Sequence, residues 1–227
     1  MLLSFTVMSW NWELENETWV LRPASRPPHI RDWGLATRSL SGAAVSSGPN
    51  TVRLEQVHGT TVSEASAPGI LPQSDGVLLR RPGLRVQVRT ADCLPVFVTS
   101  PVAVAVLHAG WRGLCEGVLE AGVAALASRD LEAWIGPAIG VCCFEVGDEV
   151  AARFPQATWS RPGARPHVDL PGEAMRRLGL AGVKRVHAGA PCTRCHQHLL
   201  PSHRGSGGGP GRLVAFAELH PEPPQLS

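Results

Sequence analysis

Apolar residues along this chain come in short runs broken by glycine, proline and small polar residues, and helical spacing is confined to a few segments. Leu2–Val7, Thr18–Leu21, Thr51–Val57, Gly76–Leu79 and Leu84–Val88 are predicted as short strands, with Arg80–Gly83 turning between the last two. A glycine- and serine-rich stretch from Ser39 to Pro49 is predicted as a loop. Leu94–Leu107 alternates poorly but is rich in β-branched residues and breaks at Thr99-Ser100-Pro101, which predicts a hairpin. A reversal centred on the Ser100–Pro101 bond sets Cys93 directly opposite His108, at a Cβ separation of about 4.5–5.5 Å. Proline is awkward at the second central position of such a turn.

Helical periodicity appears over Leu114–Arg129, where Leu114, Val118, Gly122 and Ala125 line one face, although the glycines weaken it. A brief strand at Ala133–Ile135 leads into the rigid loop Gly136–Gly140, and Val146–Phe154 reads as a short helix with a weak start at Gly147. Asp169 is placed to cap a helix over Gly172–Leu178, with Pro171 in its first turn. Val183–Ala188 and Leu213–Leu219 are predicted strands on either side of a glycine-rich loop, Ser202–Arg212. Many short strands with two or three helices predict an α+β fold, a layered sandwich of mixed β-sheets flanked by helices. No internal repeat or linker divides residues 1–227, so one domain is expected.

Composition narrows the function classes. Basic and acidic residues number 21 and 19, a formal charge of +2, and no basic block suggests a nucleic-acid footprint. No window approaches the roughly 18 uncharged apolar residues of a membrane span. The first residues lack the basic flank and long apolar core of a signal peptide. A cytoplasmic location and six thiols, rather than a disulfide framework, are the expectation. Cys142 and Cys143 are adjacent, and Cys192 and Cys195 form a single C-x-x-C that suits metal or redox chemistry but has no partner pair of the same spacing.

The densest chemistry lies in Gln56-Val-His-Gly59, Thr90-Ala-Asp-Cys-Leu-Pro95 and His108-Ala-Gly-Trp-Arg-Gly113. His58, Cys93 and His108 form a donor set for a borderline-soft ion, with a fourth position left for water or substrate. Copper accepts the same ligands; zinc is favoured because Met175 lies far from blue-copper spacing. Each imidazole needs a partner for its second nitrogen. Asp92 is a candidate for proton transfer or a structural hydrogen bond. Arg38 and Arg112 are candidates for an oxyanion, Trp111 for an aromatic wall, and His203 in Ser202-His-Arg204 for substrate binding or acid–base work. A rival scheme takes Cys93 as nucleophile with His108 as its base. A third uses the ion only as a structural clip in an interaction protein.

The ordered set of motifs resembles the YfiH-type family, named multicopper polyphenol oxidase (laccase-like) or purine nucleoside phosphorylase. The matching pieces are Ala36-Thr-Arg38, Gln56–Gly59, Thr90–Pro95, His108–Gly113 and Ile135–Gly140. Cys142-Cys-Phe-Glu-Val146, Val168-Asp-Leu170, Cys192-Thr193, Ser202-His-Arg204 and Gly211-Arg212 complete the set. The resemblance implies zinc on His58, Cys93 and His108, and catalytic roles near Cys93, His108, Asp92 and His203. Substrate contacts at Arg38, Trp111, Arg112 and Arg204 are expected with it. It also implies phosphorolysis of adenosine, inosine, guanosine or methylthioadenosine, with deamination of adenosine, so that purine nucleosides and phosphate are the partners. Copper-dependent phenol oxidation and a role in cell-wall precursor editing are further activities linked to the family, whose fold is similar to that of a toxin class with a Cys–His pair. A monomer or weak homo-oligomer is expected. Among four departures from the family pattern are a short connection between Arg38 and Gln56, Gly205 where a second arginine is common, and Phe144 where the family has tyrosine. Ala174 also replaces a family asparagine.

Overall fold

A computed structural model describes residues 4–7, 10–15, 18–39, 48–209 and 211–221. The strands are β1 (Ser4–Val7), β2 (Trp10–Glu15), β3 (Thr18–Pro23), β4 (Ile30–Ser39), β5 (Thr51–Leu54), β6 (Val62–Glu64), β7 (Gly69–Leu71) and β8 (Gly76–Leu79). They continue with β9 (Arg85–Thr90), β10 (Leu94–Ser100), β11 (Ala103–Ala109), β12 (Glu132–Ile135), β13 (Trp159–Ser160), β14 (His167–Val168), β15 (Arg185–Ala188) and β16 (Leu213–Leu219). The helices are α1 (Trp111–Glu116), α2 (Val118–Leu126), α3 (Asp148–Ala151) and α4 (Leu170–Leu180).

Two mixed seven-stranded sheets stack. The first has the order β1-β15-β12-β10-β11-β8-β6, the second β2-β3-β4-β16-β9-β5-β7, and β13–β14 form a separate ribbon. Alternation along the central strands explains the layers. Val104 and Val106 of β11, with Phe97 of β10, pack toward Trp33, Leu35, Val86, Val88 and Ala215 of the second sheet. Leu94, Val96, Val98, Ala105 and Leu107 pack on the opposite face against Leu114, Val118, Leu119 and Leu178 of the helices. Both faces of β10 and β11 are therefore covered, which is why their sequences are continuously apolar instead of alternating. The fold is α+β, as expected.

Differences from the sequence expectation have identifiable causes. The helix expected over Leu114–Arg129 begins at Trp111 and breaks at Gly117, whose φ of 103° ends α1 and starts α2. The β10–β11 turn is centred one residue later than expected, with Ser100 opposite Ala103 and Pro95 opposite His108. Pro101 thus takes the first central position of the turn, where its fixed φ fits. The shift moves partners by two residues and leaves every side chain on its face. β5 ends at Leu54 rather than continuing to Val57. β2, β6 and β7 were not expected, nor was β4, which extends through Ser39 and pairs with both β3 and β16. Leu2, Leu3 and most of the predicted loop, residues 40–47, lie outside the described residues. Asp169 caps α4 as expected, accepting from Gly172 N–H at 3.0 Å.

The chain shuttles between the sheets as it runs from β5 to β10. β5, β7 and β9 lie in the second sheet and β6, β8 and β10 in the first. The crossover from β5 to β6 carries His58, that from β7 to β8 carries Asp75, and that from β9 to β10 carries Asp92 and Cys93. Three crossovers thus converge at the end of β11, where His108 sits. Among the described residues no helix is long and apolar enough to cross a membrane.

Candidate metal centre

His58, Cys93 and His108 come together with their donor atoms all within 4.8 Å of one another. The sequence reading placed Cys93 directly across the strand pair from His108; the register instead makes Cys93 a diagonal neighbour, two residues before Pro95. Diagonal positions remain within reach of long side chains, and the two imidazole rings meet edge to face at 4.8 Å.

Two residues at the site hold unusual backbone. His58 has φ 63° and Asp92 φ 82°, the left-handed region that non-glycine residues rarely occupy. Each is fixed by a buried carboxylate. Asp75, fully buried, accepts from the backbone N–H groups of Val57, His58 and Gly59 at 3.1, 2.9 and 2.7 Å. Gln56 extends the same turn, its side-chain amide pairing with both backbone groups of Arg89 at 2.7 and 2.9 Å. Asp92 accepts from Thr193 Oγ1 at 2.6 Å and Arg204 N–H at 2.7 Å, while its carbonyl accepts from Ile139 N–H at 2.9 Å.

Asp75 also reaches His108. Its Oδ1 is 2.7 Å from Nδ1 of that ring, and its carbonyl accepts the His108 backbone N–H at 2.7 Å. Holding Nδ1 this way leaves Nε2 as the free donor. Burial pushes the Cys93 thiol up, but hydrogen bonds and positive charge from His108 and His58 outweigh it and bring the thiol down to about 7. Burial likewise opposes charge on His108, yet Asp75 and Cys93 raise that imidazole to about 9. For Asp75, burial is overcome by His108 and the backbone donors, and its pKa is lowered. The set is graded in exposure: His58 is exposed, Cys93 intermediate and His108 buried. Its open side therefore faces solvent past His58. Gly110, where β11 passes into α1, lies against the His58 ring and Cys93; a Cβ there would lie 2.9 Å from His58 Cδ2 and 3.1 Å from Cys93 Sγ.

Against known proteins, residues 35–220 match the model of the family described as multi-copper polyphenol oxidoreductase laccase. This chain belongs to that family. It is 43% identical to a Pseudomonas aeruginosa purine nucleoside phosphorylase, over 73% of this chain and 72% of that one. It is 35% identical to purine nucleoside phosphorylase YfiH of Escherichia coli, covering 85% and 82%. The crystal structure of YlmD from Geobacillus stearothermophilus superposes with a TM-score of 0.80 at 25% identity, covering 92% of this chain and 98% of that one.

The other residues expected from the family resemblance fall in different settings. Asp92 is 9% exposed, and both its carboxylate oxygens are used to tie down Thr193 and Arg204. Through Arg204 N–H, the Ser202–Arg204 turn docks beside Cys93, with the His203 side chain exposed. The Arg204 guanidinium donates to the Glu145 carbonyl at 2.9 Å and lies 5.6 Å from the Phe144 ring. Trp111 is half-buried at the start of α1, and the Arg112 guanidinium lies 4.4 Å over its ring. Arg38 belongs to β4, and its side chain lies outside the described residues.

Two features escaped the sequence reading. Asp75 was passed over, although an aspartate ahead of Gly76 and an apolar strand marks a carboxylate entering the core. Cys142, Cys143, Cys192 and Cys195 form a second group whose sulfurs also lie within 4.8 Å of one another.

Proposed function

We propose that this chain is a zinc-dependent purine nucleoside phosphorylase acting on adenosine, inosine, guanosine and methylthioadenosine, with adenosine deamination as a second activity. The observation that carries the proposal is the His58–Cys93–His108 donor set with Asp75 behind it, in a chain 43% identical to a named purine nucleoside phosphorylase. The residues fit zinc: one soft sulfur, two imidazoles, a carboxylate partner fixing one ring, and an open side for a fourth ligand. A zinc ion held there would supply Lewis acidity at that open side.

The chain's own residues would do the rest. Arg112 and Arg204, each with an exposed guanidinium, would hold phosphate by paired N–H donors, joined by Arg38. The phosphate oxygen would bond to the ribose anomeric carbon as its bond to the purine nitrogen breaks. His203 would give the departing purine its proton. Trp111 would provide a wall for the base. Asp92 acts as a positioning residue in this scheme, because its oxygens already accept two hydrogen bonds that hold the Cys93 and Arg204 loops together.

One observation favours a second reading. Cys93, His108 and Asp75 also line up as thiol, base and orienting carboxylate, the order of a Cys–His hydrolase. The oxidase chemistry in the family's description is less well served by this set. Blue-copper centres add a weak axial methionine to two histidines and a cysteine. Among the described residues the methionine is Met175, packed against the helical core.

The test incubates purified protein of defined zinc content with each nucleoside, with and without phosphate. Free base and the 1-phosphate of the sugar (5-methylthioribose-1-phosphate from methylthioadenosine, ribose-1-phosphate from the others) are expected with phosphate, and inosine from adenosine without it. His58→Ala is expected to lose the ion of this centre and both activities; unchanged phosphorolysis in a variant lacking that ion removes zinc from the scheme. One zinc equivalent bound at this centre and lost in Cys93→Ser eliminates the thiol hydrolase. Phenol oxidation without copper loading would instead support the oxidase.

A further inference from the structure

The C-x-x-C that has no partner pair in the sequence acquires one in the fold. The loop after β12 carries Cys142 and Cys143, and the loop after β15 carries Cys192 and Cys195. An isolated parallel bridge joins Ala138 to Cys192, and Thr193 N–H donates to the Ala138 carbonyl at 2.9 Å. With the loops so aligned, Cys195 Sγ lies 3.6 Å from Cys142 Sγ and 3.5 Å from Cys143 Sγ, and all four sulfurs fall within 4.8 Å.

We propose that Cys142, Cys143, Cys192 and Cys195 form a second metal site, a tetrathiolate that takes one zinc-class ion and clips these two loops together. The spacing decides between the chemistries four cysteines can perform. A tetrahedral ion with metal–sulfur bonds of about 2.3 Å places its ligands ~3.8 Å apart, and the observed 3.5 and 3.6 Å lie close to that edge. A disulfide needs about 2.05 Å, and all four thiols are free. Gly140 N–H donates to Cys192 Sγ at 3.2 Å, the kind of backbone contact that stabilises a sulfur carrying negative charge. Cys142 and Cys195 are exposed, so an ion has a path of entry. On binding, the four thiols give up their protons to solvent and their sulfurs bond the ion, with no change of oxidation state.

The clip sits directly behind the first centre. Thr193, between two of the cysteines, donates to Asp92, and Ile139, three residues before Cys142, donates to the Asp92 carbonyl. Asp92 in turn precedes Cys93. The second ion thereby acts as a positioning element for the Cys93 crossover, closed on all four sides and without an open coordination site.

The test measures zinc content and native thiol reactivity in the full chain and in Cys93→Ser, which disables the first centre only. Two zinc equivalents are expected in the unmodified chain and one in Cys93→Ser. Chelation of that last equivalent should expose four further reactive thiols. Cobalt-loaded Cys93→Ser should show the intense sulfur-to-cobalt charge transfer of a four-thiolate tetrahedral site. The Cys192→Ser/Cys195→Ser pair should lose one equivalent. Zinc-free Cys93→Ser under excess zinc overturns the proposal, as does a mass deficit from disulfides among these four. Retention of both equivalents in the Cys192→Ser/Cys195→Ser pair does so too. If that pair fails to fold, the Cys93→Ser measurements decide alone. Failure of the phosphorylase assay leaves these readouts untouched.

Discussion

Asp75 Oδ1 lies 2.7 Å from His108 Nδ1, and the same carboxylate accepts the backbone N–H groups of Val57, His58 and Gly59. One fully buried acid therefore orients one candidate ligand through its ring and a second through its backbone. Asp75→Asn keeps the shape but, in either orientation of the amide, turns a donating NH2 toward at least one backbone N–H. Zinc affinity is expected to fall by about 10–100-fold, the usual effect of losing a partner behind a metal ligand. Stability should fall by about 2 kcal/mol, because at least one buried N–H loses its acceptor. Competition titration against a chelator and urea unfolding measure the two effects; an unchanged affinity would show that Asp75 serves the turn alone.

Gly110 tests whether the flank of the centre must stay bare. Gly110→Ala places a methyl 2.9 Å from His58 Cδ2 and 3.1 Å from Cys93 Sγ. Its backbone, at φ −72°, accepts alanine without strain. The variant is expected to fold with unchanged circular dichroism and to lose zinc affinity at the first centre by at least about tenfold, since a displacement of a few tenths of an ångström spoils ligand geometry. Full zinc affinity at that centre would mean that His58 moves aside freely.

How much of this was legible in the sequence follows from what each residue's neighbours reveal. His58, Cys93 and His108 were found because polar, ligand-type residues stood in segments dense in glycine and tryptophan. The hairpin was found from its β-branched runs, but its register was not, because Pro101 fits the turn one residue later. Asp75 was missed because its partners, His108 and the Val57–Gly59 turn, are distant in sequence and joined only by the crossovers between sheets. The four-cysteine group was missed for the same reason: its halves are brought together by a single bridge, Ala138 to Cys192. β2 and β4 were missed because their apolar positions are interrupted by charge that the fold uses. Arg22 pairs with Glu13, Glu15 and Asp32 on the outer face of the second sheet.

A stability prediction lies outside both metal centres. Glu173 in α4 is fully buried and accepts from Arg176 Nε at 2.7 Å and Arg177 Nε at 2.8 Å, while Arg177 also reaches Glu120 of α2 at 2.9 Å. Burial alone would raise the carboxyl pKa, and the two arginines lower it instead. Glu173→Ala leaves a cavity and a half-buried guanidinium with one partner fewer, and should cost about 2–3 kcal/mol. Urea unfolding with no change in bound zinc is the expected pair of results. Loss of zinc in the same variant would show that α4 supports a centre.

The Cys93–His108 pair carries a pH signature whose sign can be worked out. The Cys93 thiol is lowered from 9.0 to about 7, so its contribution to the metal-free fold is complete above 9 and lost as pH falls through about 7. His108 is raised from 6.5 to about 9, so its contribution is complete below 6.5 and lost as pH rises through about 9. Between about 7 and 9 the metal-free centre therefore holds a thiolate beside an imidazolium. Zinc must displace the His108 proton in that window, so its affinity at this centre should rise about tenfold per pH unit and level off above pH 9. Below pH 7 the thiol proton must leave as well, and the dependence should steepen toward about a hundredfold per unit. Chelator competition across pH 6 to 10 in the Cys192→Ser/Cys195→Ser variant isolates this centre. A flat profile between 7 and 9 would mean that His108 is already neutral there, and that Asp75 orients the ring without charging it.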